Sequence, residues 1–157
     1  LAGRGHRKMA MVMANDERAN RRATAFKEEV LQQGLPPVVE VNVGAVRSIQ
    51  GGRDALTRLL QGAPDVDAVF CSSDLLALGV LTQARVLGLD VPGQLAIMGF
   101  GDTPLASDVV PALSSVRING DEIGRLAALY LMARAEGREV PQPIVDVGFS
   151  IMARDSA

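Results

Sequence analysis

The first hundred residues alternate between short apolar runs and longer stretches with helical spacing of apolar side chains. Nearly continuous apolar runs are typical of strands covered on both faces, and glycine closes two of the three helical stretches. The predicted strands are 9–14, 38–43, 66–71 and 95–98. The predicted helices between them are 17–33, 53–61 and 75–87. Strands alternating with helices require right-handed crossovers, so the predicted class is α/β with a doubly wound, mostly parallel sheet.

Three details refine this pattern. Valines alternate with polar residues in 38–43, which favours a place nearer the sheet edge. Gly51 and Gly52 are expected to precede the second helix. After residue 100 the rhythm breaks, and we expect a loop over 100–114, a short strand, an amphipathic helix over 123–136, and strand segments at 144–147 and 149–152.

Composition narrows the possible functions. The chain has 157 residues and a net charge of −2, so it carries no basic field for a nucleic-acid backbone. Aromatic residues make up 3%, which argues against a stacking platform for bases. The only cysteine is Cys71 and the only histidine is His6, so we expect no internal disulfide, metal or cofactor. No acid–base pair or nucleophile constellation stands out, and we expect no enzymatic activity.

The N-terminal region lacks an apolar run long enough for a signal peptide or a membrane span, which needs about 20 residues. We therefore expect a cytoplasmic protein with no membrane partner. The chain begins with Leu1 rather than methionine, which indicates a processed or excised piece.

Polar clusters follow the predicted strands, at the edge where open α/β sheets bind ligands. These clusters are Asn15-Asp16, Gly44, Ser72-Ser73-Asp74 and Phe100-Gly101-Asp102. Their hydroxyls and carboxylates suit a polyhydroxy ligand, but serine and aspartate at such turns are more commonly helix caps. Arg22 shares a helix face with Arg18 and is a candidate to hold a carboxylate or a hydroxyl pair. The alternative for these arginines is a solvated charged face.

Two other functions are rejected on residue positions. The glycines of Gly99-Phe100-Gly101 follow the fourth strand, whereas a dinucleotide fingerprint needs them in the first strand-to-helix turn. A phosphoacceptor receiver domain needs a lysine late in the sheet, but the only lysines are Lys8 and Lys27.

Several runs together resemble the LacI/GalR family of bacterial transcriptional regulators. They are 69–79, 88–92, 97–102 and 111–116, together with Gly5-His6-Arg7-Lys8 before the first strand and the Arg22 and Phe26 pair. The resemblance implies a transcriptional regulator of the repressor type, with a periplasmic-binding-protein-like core of two subdomains. Operator DNA binds such proteins through an N-terminal helix-turn-helix headpiece, which this chain is expected to lack.

The resemblance also implies an organisation for the chain. Residues 1–114 would form the C-terminal effector-binding subdomain, 115–143 a crossover and helix belonging to the missing N-terminal subdomain, and 144–157 the return strands. That helix would have lost the cover of its apolar face, which carries Ile123, Leu126, Ala127 and Tyr130. We expect it to pack against another copy, to fold back or to be disordered, because exposed apolar patches drive association.

The ligand-binding residues that the resemblance implies are Arg22, Ser73, Asp74, Gly101, Asp102 and Asp16. Ser73 stands where many members have asparagine, and Gly101 where many have an aspartate. Loss of that carboxylate leaves Arg22 less neutralised and favours an anionic effector, a sugar acid such as gluconate, over a neutral sugar. The implied homodimer interface contains Leu78, Thr82, Val109 and Val110. A periplasmic sugar-binding protein of a transport system would share this fold and is the alternative.

Overall fold

Six strands form one sheet in the order β2-β1-β3-β4-β5-β6 in the computed structural model, which describes residues 1–140 and 144–157. The strands are β1 (Met9–Met13), β2 (Val39–Asn42), β3 (Ala68–Cys71), β4 (Ala96–Phe100), β5 (Ser114–Ile118) and β6 (Phe149–Met152). The helices are α1 (Glu17–Gln32), α2 (Ile49–Gly62), α3 (Asp74–Val86), α4 (Pro104–Asp108) and α5 (Gly120–Ala135). Neighbouring strands from β2 to β5 are parallel, and β6 runs antiparallel to β5, which confirms the predicted α/β class.

The sheet is covered on both faces, as its apolar runs predict. Successive side chains of a strand point to opposite faces. On β1, Ala10 and Val12 pack with α2 and α3, while Met11 and Met13 pack with α1. Strand β2 lies at the edge of the sheet, as its alternating pattern predicts.

Glycine explains why α2 begins earlier than predicted. The helix starts at Ile49 after the Ser48 cap, so Gly51 and Gly52 lie inside it rather than before it. A Cβ on Gly52 would lie 2.2 Å from the carbonyl oxygen of Leu76, and one on Gly79 would lie 2.1 Å from that of Ile49. These glycines allow α2 and α3 to approach closely, and they do not mark a helix end.

The second half differs from the prediction in two places. The expected loop over 100–114 contains the short helix α4, with Pro104 at its first turn, where proline is favoured. No strand forms at 144–147, where Ile144 is 89% exposed, while β6 at Phe149–Met152 matches the prediction. The boundary predicted at residue 143 lies outside the described residues.

Helix α5 leaves its apolar side chains largely uncovered. Ala133 is its one buried residue, and Ile123, Leu129, Leu131 and Met132 are all exposed. The helix forms in the described chain without folding back to bury these side chains, and packing against another copy stays a prediction. No helix in the described ranges is long and apolar enough to cross a membrane.

Candidate functional site

The candidate site lies at the carboxyl ends of β1 and β3, which hydrogen bonds of Ser72 join to each other. The buried Ser72 hydroxyl accepts a hydrogen bond from the Ala14 amide at 3.2 Å, and the Ser72 amide donates to the Val12 carbonyl at 2.9 Å. The Asn15 amide donates to the Gly44 carbonyl at 2.8 Å, which joins the end of β1 to the loop after β2. Ser72 therefore ties two strands together, and the helix cap of α3 is its neighbour Ser73.

Arg22 lies at this edge, as the sequence predicts, and it is only partly buried. Its Nη2 donates to the Ser72 carbonyl at 3.3 Å, and its Cζ lies 4.1 Å from the centre of the Phe100 ring. Such a stack holds the guanidinium by a cation–π interaction. Its Nε is buried and has no hydrogen-bond partner within the described residues. An unsatisfied buried donor is unfavourable, so an acceptor that reached this nitrogen would stabilise the site.

Phe26, the other half of the Arg22 and Phe26 pair, lies elsewhere. Its ring packs against Phe70 with centroids 5.2 Å apart, among the side chains between α1 and the sheet. The aromatic partner of Arg22 is Phe100 instead, which belongs to one of the recognised runs and was missed as a contact of the arginine.

One negative and two positive side chains act on the charge of Arg22. Asp16 accepts from the Ala19 amide at 3.0 Å as the cap of α1, and it also pairs with Arg47. The hydrogen bond from Arg47, more than any other contact, lowers the pKa of Asp16. Burial lowers the pKa of Arg22, and the nearby charges of Arg47 and Arg18 lower it further while Asp16 acts in the opposite direction. Arg47 was not predicted, because only the loop after β2 brings it to Asp16.

Ser73 and Asp74 occupy different environments although they are adjacent. The Ser73 hydroxyl, which is partly exposed, accepts from the Leu76 amide at 3.4 Å. Asp74 is 1% exposed, and its two oxygens accept from the Thr103 amide at 2.6 Å and the Ser115 hydroxyl at 2.5 Å. Both oxygens of Asp74 are thus engaged inside the protein, and a direct ligand contact from it stays a prediction.

The loop after β4 carries the two remaining candidate residues. Gly101 is exposed with φ of 127°, a backbone conformation that side-chain-bearing residues rarely adopt. The Asp102 side chain is 2% exposed and forms ion pairs with Arg117 at 2.5 Å and Arg154 at 2.7 Å. Burial alone would raise the pKa of Asp102, but the hydrogen bonds from Arg154 and Arg117 together hold it below its usual value.

A separate groove brings together the four residues implied for a dimer interface. Its volume is about 740 Å³, and Leu78, Thr82, Val109 and Val110 all line it. Val110 is 81% exposed. The homodimer itself stays a prediction.

The described residues contain little other reactive chemistry. Cys71 is buried as predicted, and burial raises the pKa of its thiol far above the usual value. Within 1–140 and 144–157, no three His, Cys, Asp or Glu side chains are grouped so as to hold a metal ion.

A mostly parallel sheet with an arginine and hydroxyl groups at its carboxyl edge is the architecture of a ligand-binding α/β domain. The whole chain, residues 1–157, matches the family described as periplasmic binding protein-like domain. The chain therefore belongs to that family, in the form that LacI/GalR transcriptional regulators carry, which confirms the resemblance found in the sequence.

Three similar proteins illustrate the relationship. The HTH-type transcriptional regulator GntR of Pseudomonas aeruginosa is 38% identical over 99% of this chain and 46% of its own length. The crystal structure of transcription regulator GntR from Chromobacterium violaceum has a TM-score of 0.93 and 34% identity, over 99% of this chain and 58% of that one. A transcriptional regulator CelR–cellobiose complex has a TM-score of 0.87 and 30% identity, over 100% of this chain and 49% of that one.

The chain thus spans about half the length of the curated relatives it matches. These relatives are regulators rather than enzymes or transport proteins, so the alternative of a periplasmic sugar-binding protein is not favoured.

Proposed function

We propose that this chain is the effector-binding and dimerisation part of a LacI-type transcriptional repressor that senses a sugar acid such as gluconate. Operator DNA would bind through a headpiece outside this chain, and the protein would act in the cytoplasm. The relatives named as transcriptional regulators support the regulatory role, and the cellobiose complex of CelR supports a sugar ligand.

The observation that carries the ligand proposal is the position of Arg22. Its guanidinium is held between the Ser72 carbonyl and the Phe100 ring, and its buried Nε has no partner among the described residues. A guanidinium fixed in this way is suited to bind a carboxylate or two neighbouring hydroxyls through its planar set of donors.

The surrounding charges favour an anionic ligand. Asp16 is the acid that acts on Arg22, but it already pairs with Arg47, and Arg18 adds another positive charge. Gly101 adds no carboxylate to the site. A ligand carboxylate 4 Å from a guanidinium is attracted by about 4 kcal/mol at an effective dielectric constant of 20, before desolvation is subtracted. A neutral sugar gains only hydrogen bonds.

Calorimetric titration with D-gluconate and D-glucose tests this proposal. We expect gluconate to bind at least about tenfold more tightly than glucose, because a charge-assisted bond adds about 1.5–3 kcal/mol. Arg22→Gln should weaken gluconate binding by about tenfold or more for the same reason.

The neighbouring arginine supplies a matched control. The Arg21 side chain is 79% exposed and pairs with Glu17 along the outside of α1. Arg21→Gln removes the same charge one residue away and should leave gluconate affinity within about twofold, because exposed charges contribute little. Tighter binding of glucose, or unchanged gluconate binding in Arg22→Gln, would contradict the proposal.

A further inference from the structure

Asp102 has an uncommon backbone conformation, and its side chain is buried between two arginines rather than facing solvent. It is the one non-glycine residue with positive φ, 52°, in the described chain, and its side chain is 2% exposed. Two guanidinium groups hold it, Arg117 from β5 and Arg154 from the segment after β6. Such a conformation persists only where surrounding contacts impose it.

The same three segments are joined by further hydrogen bonds. We name residues 100–103 the effector loop. The Gly101 amide donates to the Val116 carbonyl at 2.8 Å, and the Asp102 amide donates to the Ser115 hydroxyl at 3.1 Å. Arg154 also donates to the Leu113 carbonyl at 2.7 Å, just before β5. The loop is therefore bonded along its length to β5 and through Arg154 to the chain after β6.

We infer that Asp102 is a positioning residue, which with Arg117 and Arg154 holds the effector loop on strand β5 and on the segment after β6 and so sets effector affinity without touching the effector. The link to affinity is Phe100, which begins the loop and supports the Arg22 guanidinium. If the loop moves, Phe100 moves with it and Arg22 loses its fixed orientation. The role in affinity rests on the proposed function of Arg22.

Hydrogen–deuterium exchange without ligand, followed by gluconate calorimetry, tests the inference on Asp102→Asn. Loss of the charge-assisted bonds should speed exchange of the effector-loop amides by about tenfold or more. Gluconate affinity should fall by a similar factor of about ten. Arg22→Gln should weaken gluconate binding while changing loop exchange far less than Asp102→Asn does, because Arg22 contacts the loop through the Phe100 ring and makes its hydrogen bond to Ser72 rather than to the loop backbone.

Two further variants keep the test decisive. The Arg117 side chain is 51% exposed, so it can be changed to Gln without opening the core. Arg117→Gln should also speed loop exchange, and it replaces Asp102→Asn in the test if that variant does not fold. Asp121→Asn removes an exposed carboxylate from the start of α5 and should change neither measurement.

The possible outcomes separate this inference from the proposed function. Unchanged loop exchange in the folded Asp102 and Arg117 variants overturns the positioning role. Weaker gluconate binding with unchanged loop exchange would instead make Asp102 a direct ligand contact, which also overturns it. Failure of the unaltered protein to bind gluconate contradicts the proposed ligand, whereas the exchange measurement still decides whether Asp102 holds the loop.

Discussion

Replacing Asp74 with alanine removes the carboxylate that joins the start of α3 to the effector loop and β5. The Thr103 amide and the Ser115 hydroxyl, at 2.6 and 2.5 Å, would both lose their acceptor. Asp74 is 1% exposed, so water does not replace the carboxylate without rearrangement. A buried donor left unsatisfied costs about 1–3 kcal/mol, so the buried Ser115 hydroxyl predicts a loss of about that size in the free energy of unfolding, to which the partly buried Thr103 amide adds. That is a large share of the roughly 5–15 kcal/mol typical of a domain.

Urea denaturation followed by circular dichroism measures this loss. The matched control is Ser73→Ala, which removes one long capping bond of 3.4 Å and should cost about 1 kcal/mol. Asp74→Asn keeps the shape and one acceptor oxygen, and we expect it to fall between the two. If Asp74→Ala costs no more than Ser73→Ala, the carboxylate is not a structural tie and our account of its environment is wrong.

Two further substitutions test the helix packing and the groove. Gly79→Ala places a Cβ 2.1 Å from a carbonyl oxygen of α2, so thermal melts should show a loss of about 1–3 kcal/mol, whereas Gly62→Ala, with no atom within 4 Å, should change stability by less than about 0.5 kcal/mol. Equal effects would refute the close-approach explanation. Val110→Asp should abolish the proposed dimer in sedimentation experiments, because it buries a charge in the groove, while Leu105→Asp, exposed outside the groove, should not. A Val110→Asp protein that still dimerises would place the interface elsewhere.

The order of strands and helices was predictable because local pattern and burial agree. Residues 9–14 form a continuous apolar run, and the run forms the interior strand β1, covered on both faces. The polar residue at the start of each long helix also supplies its cap, with Asp16, Ser48, Ser73 and Asn119 all accepting from the first turn. The predicted start of α2 was wrong because glycine occurs both at helix ends and where two helices pack closely. The spacing of residues in the sequence does not distinguish these two cases.

The candidate site was predictable in its position and not in its connections. The rule for parallel sheets places Asp16, Ser73 and Gly101 at the carboxyl edge, where the structure also has them. The partners of Asp16 and Asp102 were not predictable, because Arg47, Arg117 and Arg154 carry no local signal that marks them as ion-pair partners.

The sequence by itself determined the α/β class, the family and the edge of the sheet at which a ligand would bind, because apolar periodicity and short motifs are local properties. Only the tertiary structure decided which polar side chains remain available there. Pairing of β5 with β6 brings Arg154 beside Asp102, and the loop after β2 brings Arg47 to Asp16. These contacts pair Asp102 with two other arginines and make Arg22 share Asp16 with Arg47, because charge pairing depends on distance in space rather than along the chain.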